Sequence, residues 1–386
     1  RLVGSEMCIR DSNYNNNNNN NNRSYFSDND NNNNYGSFLS LSNYFPQATE
    51  GDYYCKFLIL IGSFYLLPSI QFVLFQSQDP SSICYYNNKC KKDLYFIPAF
   101  NNVISNIFYV ILGLIFIIIV KLKNRKNNGI SYMGINNNPS LYYCLGISLF
   151  FEGLCSATYH ICPSKLNFQF DTTFMFIGNI LLFVTIYQKR HMVPSPMKVF
   201  SFSALLILIN TMPLSGLSNG FEIWFWGGFF MLMAYLMIFG SIYLYYDEEY
   251  DFNLDSFKKI AAKMRQMKKK DYPKVILVIF LNTFTLGMFI FATIYKPNFT
   301  DWLLGVSIVN LIIYFCYYIF QKIKSKEHIS VLIWIWMFLD ITILTLSLIF
   351  FFKSVSDKFL TEEESNLLNH DCVLLNYFDY HDIWHL

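Results

Sequence analysis

The chain has 386 residues, of which 53% are hydrophobic, 19% aromatic and only 15% charged. Soluble domains carry about 25% charged residues, and 29 Lys+Arg against 27 Asp+Glu leaves no excess for a nucleic-acid stripe or an acidic tail. A soluble enzyme, a coiled coil and a disordered chain are excluded, and a polytopic membrane protein remains.

Residues 1–50 stand apart from the rest. Asn15 to Asn22 is unbroken asparagine and Asn31 to Asn34 repeats the theme. Such tracts have nothing apolar to bury and are expected to be disordered. Arg1 to Ser12 lack an initiating Met and read as a cloning or sequencing scar. Residues 51–386 read as the multi-span domain, which breaks off at Leu386 in what looks like the first turn of a helix, so a fragment at both ends is expected.

A bilayer core of about 30 Å needs about 20 apolar residues per helix. Nine stretches qualify: 57–75, 97–120, 140–161, 170–187, 199–214, 221–246, 275–295, 302–321 and 330–352, with a tenth helix starting near His381. The fold class expected is all-α, a polytopic helical membrane bundle. Loops 121–139, 188–198, 247–274 and 322–329 hold 18 Lys and Arg, and the alternate loops hold 7. The first set is therefore cytosolic by the positive-inside rule, and the Asn-rich segment lies with it. The basic loop 247–274, with Lys258, Lys259, Lys263 and Arg265, reads first as a solvated cytosolic loop. Contact with anionic headgroups is the alternative.

The cysteines sort by side. Cys84, Cys90, Cys162 and Cys372 fall at the non-cytosolic face, where an oxidising compartment favours two disulfides, with three pairings open. Cys144, Cys155 and Cys316 lie within spans and are expected to be buried thiols, while Cys55 sits at the cytosolic mouth of the first span.

Three of the six histidines occupy informative places. His160 ends the third span, four residues after Ser156; Asp171 opens the fourth; His381 and His385 open the tenth. Residues i and i+4 share a helix face, and the topology brings all three helix ends to the non-cytosolic side. Three neutral imidazoles make a zinc site with one position left open. Bound zinc lowers the pKa of its water to about 7, Asp171 would join the metal ligands or hold or deprotonate that water, and Ser156 would stabilise an oxyanion. An HxxxH pair alone is a weak signal, because interfacial histidines also cap helices; convergence of four groups carries the inference. Ser148, Glu152, Ser156 and His160 form one polar stripe, in which Glu152 is read as an interhelical hydrogen-bonding group. His370 is a spare ligand or a surface residue, His191 and His328 are solvated, and Asp340 has no matching stripe.

From Phe57 to Leu386 the chain resembles the systemic-RNAi-defective (SID) transmembrane family. The resemblance rests on Phe64 to Pro68, Cys84 to Asn87, Ala99 to Val103 with Ser105 and Asn106, and Phe151 to Gly153. It continues through Ser156 to His160, Cys162 and Pro163, Asn167 to Thr172, Tyr187 to His191 and His381 to His385. It implies a CREST-superfamily core, shared with alkaline ceramidases and adiponectin-type receptors. By that likeness His160, His381 and His385 are zinc ligands, and Asp171 and Ser156 complete the site. It further implies uptake or transmembrane transport of double-stranded RNA, and handling of cholesterol and other membrane lipid. RNA contact is expected through a family ectodomain that precedes the matching region. Alternatives are a zinc-dependent hydrolase of ceramide- or ester-type lipids, and a lipid-handling protein with structural zinc. A homo-oligomer in the plasma or an endolysosomal membrane is expected.

Overall fold

The computed structural model describes residues 50–126, 139–191, 194–215, 222–245, 272–295, 297–353 and 355–386, with isolated positions 258, 262 and 265. The Asn-rich segment and nearly all of the basic loop lie outside the described residues. All nine expected spans are helices. In chain order the elements are α1 (Glu50–Gln78), α2 (Phe100–Ser105), α3 (Ile107–Lys126), α4 (Pro139–Ile161), α5 (Phe168–Tyr187) and α6 (Pro196–Leu214). They continue as α7 (Glu222–Tyr245), α8 (Tyr272–Tyr295), α9 (Phe299–Lys324), α10 (Val331–Phe351), α11 (Glu362–Leu367) and α12 (Tyr380–His385). No strand occurs among the described residues, only the isolated bridges Leu94–Ile97 and Leu374–Phe378. The protein is an all-α integral membrane protein.

The second expected span departs from a single helix. It breaks at Asn106, because Ser105 Oγ and Asn106 Nδ2 both donate to Asn102 O, at 2.7 and 2.9 Å. Side-chain donors that capture a helical carbonyl loosen the ladder there. Within the spans, hydroxyls find the opposite use. Thr158, Thr172, Thr185, Ser203 and Thr285 each donate to the carbonyl four residues back, which satisfies the hydroxyl where no water is at hand.

The interior is built from α1, α4, α5 and α6. Tyr54 and Leu58, Leu141 and Phe151, Phe174 and Ile177, and Val199 and Phe200 form one buried cluster. Phe151 stacks on Phe174 with centroids 5.3 Å apart. Against α4, α3 approaches at backbone distance, because small residues sit at the crossing. A Cβ at Gly113 would meet Gly146 O at 2.7 Å, so only glycine fits there. By contrast α10, although it carries Asp340, is largely apolar and buries none of its residues, close to the pattern of a helix bathed in hydrocarbon.

The four expected cysteines pair as Cys84–Cys162 and Cys90–Cys372. Both bonds lie at one end of the bundle. The first ties the segment after α1 to the end of α4, and the second ties that segment to the loop before α12. Cys144 and Cys155 are buried as expected, but Cys316 is exposed on α9. A thiol behaves as a small apolar group and is at home on such an outward face.

Candidate metal centre

Three elements deliver the histidines to the disulfide-bonded end. α4 leaves its span at His160 and Ile161, α5 enters three residues before Asp171, and α12 starts at Tyr380. α12 is only six residues long, so its position depends on its anchors. Asp379 caps it, accepting from the backbone N–H of His381 at 2.9 Å and of Asp382 at 3.0 Å. Asp382 Oδ2 accepts in return from Asp379 N at 3.0 Å, which closes a capping box. Asn87 Nδ2 donates to Asp379 Oδ2 at 2.9 Å, and Asn101 Nδ2 donates to Asp382 Oδ2 at 3.0 Å. Two asparagines from the segment between α1 and α3 thus grip both acids of the box.

With α12 so held, His381 and His385 face His160. His160 Nε2 lies 3.2 Å from His385 Nε2, which lies 3.1 Å from His381 Nε2. One imidazole nitrogen either donates its proton or accepts one, so His385 Nε2 cannot bond well to both neighbours. Nitrogens held tetrahedrally at about 2.05 Å from zinc stand about 3.3 Å apart. The observed spacings therefore suit a shared cation. These three side chains form the one cluster of histidine, cysteine or acid with metal-binding geometry among the described residues. His160 and His385 are buried. His385 Nδ1 has no hydrogen-bond partner, so this ring is held by packing, edge-on to Tyr109 at 5.8 Å.

Asp171 and Ser156 adjoin the trio. Ser156 Oγ donates to Asp171 Oδ1, and both residues are buried. Asp171 is outside the cluster of converging ligand atoms; its carboxylate is committed to Ser156. The rest of the stripe also faces α5. Ser148 Oγ donates to Phe174 O at 3.5 Å, and Glu152 is buried with Oε2 unpartnered. His370, His328 and Asp340 are exposed and outside the cluster, although the His370 ring lies edge-on to Tyr380 of α12 at 6.3 Å, and His191 stacks on Tyr187 at 4.3 Å.

Several residues that build the centre were not legible as such. Asn87, Asn101 and Asp382 hold α12, and the signal that could have shown this is Asp379-x-x-Asp382, a capping-box spacing. Lys358 is the other. Its Nζ sits 3.2 Å from the centroid of the Phe168 ring, one turn before Asp171. Burial pushes the Lys358 pKa below the usual lysine value, while the carboxylates of Asp301, Asp171 and Asp357 act the other way.

Fold and centre together define a polytopic helical membrane protein with a histidine trio at one end, two of its rings buried and that of His381 half-buried. A family model described as the dsRNA-gated channel SID-1 matches residues 7–386, and the chain belongs to that family. It is 32% identical over 349 residues to the human SID1 transmembrane family member 1, covering 85% of this chain and 42% of the human one. It is likewise 32% identical to the mouse SID1 transmembrane family member 1 over 348 residues, again 85% and 42%. It is also 28% identical over 373 residues to Cholesterol uptake protein 1 of Caenorhabditis elegans, covering 90% of this chain and 48% of that protein. The chain thus spans less than half the length of these relatives.

Proposed function

We propose that this chain belongs to a membrane protein that takes up double-stranded RNA or moves it across a membrane. We further propose that His160, His381 and His385 hold one zinc ion at its non-cytosolic face. The RNA role is supported by the family, whose model is described as a dsRNA-gated channel. The metal role is supported by one observation, the three Nε2 atoms meeting at 3.1 and 3.2 Å. Elemental mass spectrometry on detergent-purified protein tests it, beside a His160→Ala, His381→Ala, His385→Ala variant. About one zinc per chain, lost in the variant, is expected. Folded protein without zinc refutes the metal. Cells lacking the full-length protein should take up less labelled double-stranded RNA, and unchanged uptake refutes the transport reading.

The Ser156–Asp171 hydrogen bond favours a second reading, hydrolysis of a lipid amide or ester. A bound zinc would act as Lewis acid and lower the pKa of its water to about 7. The chain's own residues supply the rest. Asp171 orients the Ser156 hydroxyl and is placed to hold a proton, and the burial of both residues keeps bulk water from this pair. Ser156→Ala should then abolish lipid hydrolysis while the zinc stays bound; activity that survives would count against the hydrolase.

Lipid handling around a structural zinc has its own support. A cavity of about 530 Å³ opens among α5, α6, α7, α8 and α9, walled by Phe183, Leu206, Phe289 and Leu303. Its size is that of small-ligand pockets, and one relative is named for cholesterol uptake. Displacement of a radiolabelled sterol by unlabelled cholesterol, reduced in Leu206→Trp protein, would support it; unsaturable binding would not.

A further inference from the structure

At the end of the bundle opposite the metal centre, two cysteines that take no part in a disulfide meet. Cys55 Sγ on α1 lies 3.5 Å from Cys144 Sγ on α4, and Cys55 Sγ also lies 3.5 Å from Ser140 O. They are 89 residues apart in sequence. Their meeting is therefore a product of helix packing, in which Tyr54 and Leu58 on α1 close on Leu141 and Phe151 on α4. The two sulfurs differ in access. Cys144 is fully buried, and Cys55 is half-buried. Both lie near the ends of their helices, two residues past Tyr53 and five past Pro139, so a small polar oxidant has a short path from the headgroup region to the half-buried Cys55.

We propose that Cys55 and Cys144 are a redox modification site, a dithiol that a peroxide converts to a disulfide stapling α1 to α4. A disulfide sulfur pair stands at about 2.05 Å, so the sulfurs close by about 1.5 Å, within reach of rotamer changes and a slight helix shift. Cys55, the accessible partner, reacts first. It loses its proton, its sulfur attacks one peroxide oxygen, the O–O bond breaks, and the departing hydroxide takes up that proton as water. Cys144 sulfur then attacks the Cys55 sulfur of the sulfenic acid and the S–O bond breaks. The second hydroxide leaves with the Cys144 proton, again as water. Each sulfur gives up one electron and the peroxide takes two. The charge count assigns this end to the cytosolic side, where thiols are kept reduced, so the resting state is the dithiol and the bond forms on oxidant exposure. This pair is separate from Cys84–Cys162 and Cys90–Cys372, which lie at the other end and have no thiol left to titrate.

Oxidation also has a place to be felt. α4 carries Cys144 near its start and Ser156 and His160 at its far end, so a staple to α1 restrains the helix that presents the centre.

The test uses purified full chain in detergent, treated with one to ten equivalents of hydrogen peroxide and then denatured. Titration with a chromogenic disulfide should show two fewer thiols per chain than in untreated protein, recovered on reduction. Non-reducing digestion and mass spectrometry should yield a peptide joining Cys55 to Cys144. Cys55→Ser and Cys144→Ala should each abolish both signals, and the wild-type count needs no variant to be read. An unchanged thiol count, a sulfinic acid at Cys55 without a crosslink, or a crosslink to Cys155 or Cys316 instead, would each overturn the proposal.

Discussion

Gly153→Ala adds one methyl where α3 leaves no room for it. The new Cβ would lie 2.8 Å from Val110 Cγ2, 2.9 Å from Val110 N and 3.0 Å from Asn106 O. Carbon atoms in comfortable contact stand about 3.5–4.0 Å apart. Two of the three neighbours are backbone atoms and cannot swing aside, so α3 must retreat by about 0.5–1 Å. Overpacking of this kind costs about 1–3 kcal/mol, offset by up to about 1 kcal/mol from alanine's better helix propensity. With the full offset the net loss is about 0–2 kcal/mol. Retreat carries Asn106 and α2 with it, and Asn101 on α2 holds Asp382 of α12. His381 and His385 then move relative to His160, which stays on α4. Metal ligands tolerate about 0.2 Å, so zinc occupancy should fall more steeply than stability. Zinc per chain and thermal melting are measured in one detergent, with Gly287→Ala as comparator, since nothing lies within 4 Å of a Cβ there. If Gly153→Ala keeps both the zinc and the melting temperature of Gly287→Ala, the α3–α4 contact does not position α12 and the reasoning fails.

Asn101→Leu removes a donor from the buried carboxylate of Asp382 and should cost about 1–3 kcal/mol; a thermal melt like that of wild type would argue against the anchor. Replacing Cys90 and Cys372 by serine together frees the loop before α12, and zinc per chain should drop. Closing a chain over the 282-residue separation of that pair is worth about 5.6 kcal/mol for a random coil. The measured loss should be smaller, because spanning helices stay confined by the bilayer when tertiary contacts are lost. At α11, the Thr361 hydroxyl and N–H hold the Glu364 carboxylate below its usual range. An acid with a depressed folded pKa stabilises above its unfolded value, about 4.3, and that contribution vanishes as pH falls through the lower folded value. Protection of the α11 amides, taken as exchange relative to the unstructured rate at each pH, should therefore weaken as pH falls through that window in wild type; in Thr361→Ala it should be weak throughout, and identical profiles would disprove the coupling.

Much of this architecture is written in one dimension. A lipid solvent demands about 20 apolar residues per crossing, and that demand is met or missed residue by residue, so all nine helices could be counted from composition. Lys and Arg are sorted between the two faces by the same solvent, which places four cysteines on one side before any pairing is known. Helix direction then sends the ends bearing His160, Asp171, His381 and His385 to a single level, so the trio itself was legible.

Lateral choices were not. Hydrocarbon surrounds the helices as comfortably as other helices do, so apolar character does not say which helix packs on which. That decision falls to close backbone fit at Gly113 and Gly153 and to hydrogen bonds formed between distant segments. Hence the pairing of Cys84 with Cys162 and Cys90 with Cys372, the grip of Asn87 and Asn101 on α12, the commitment of Asp171 to Ser156, the meeting of Cys55 with Cys144 and the outward turn of Cys316 emerged only from the tertiary structure. The sequence by itself determined how often the chain crosses and what reaches each face; the packing decided which groups touch, because contact depends on shapes and partners that no single stretch of chain encodes.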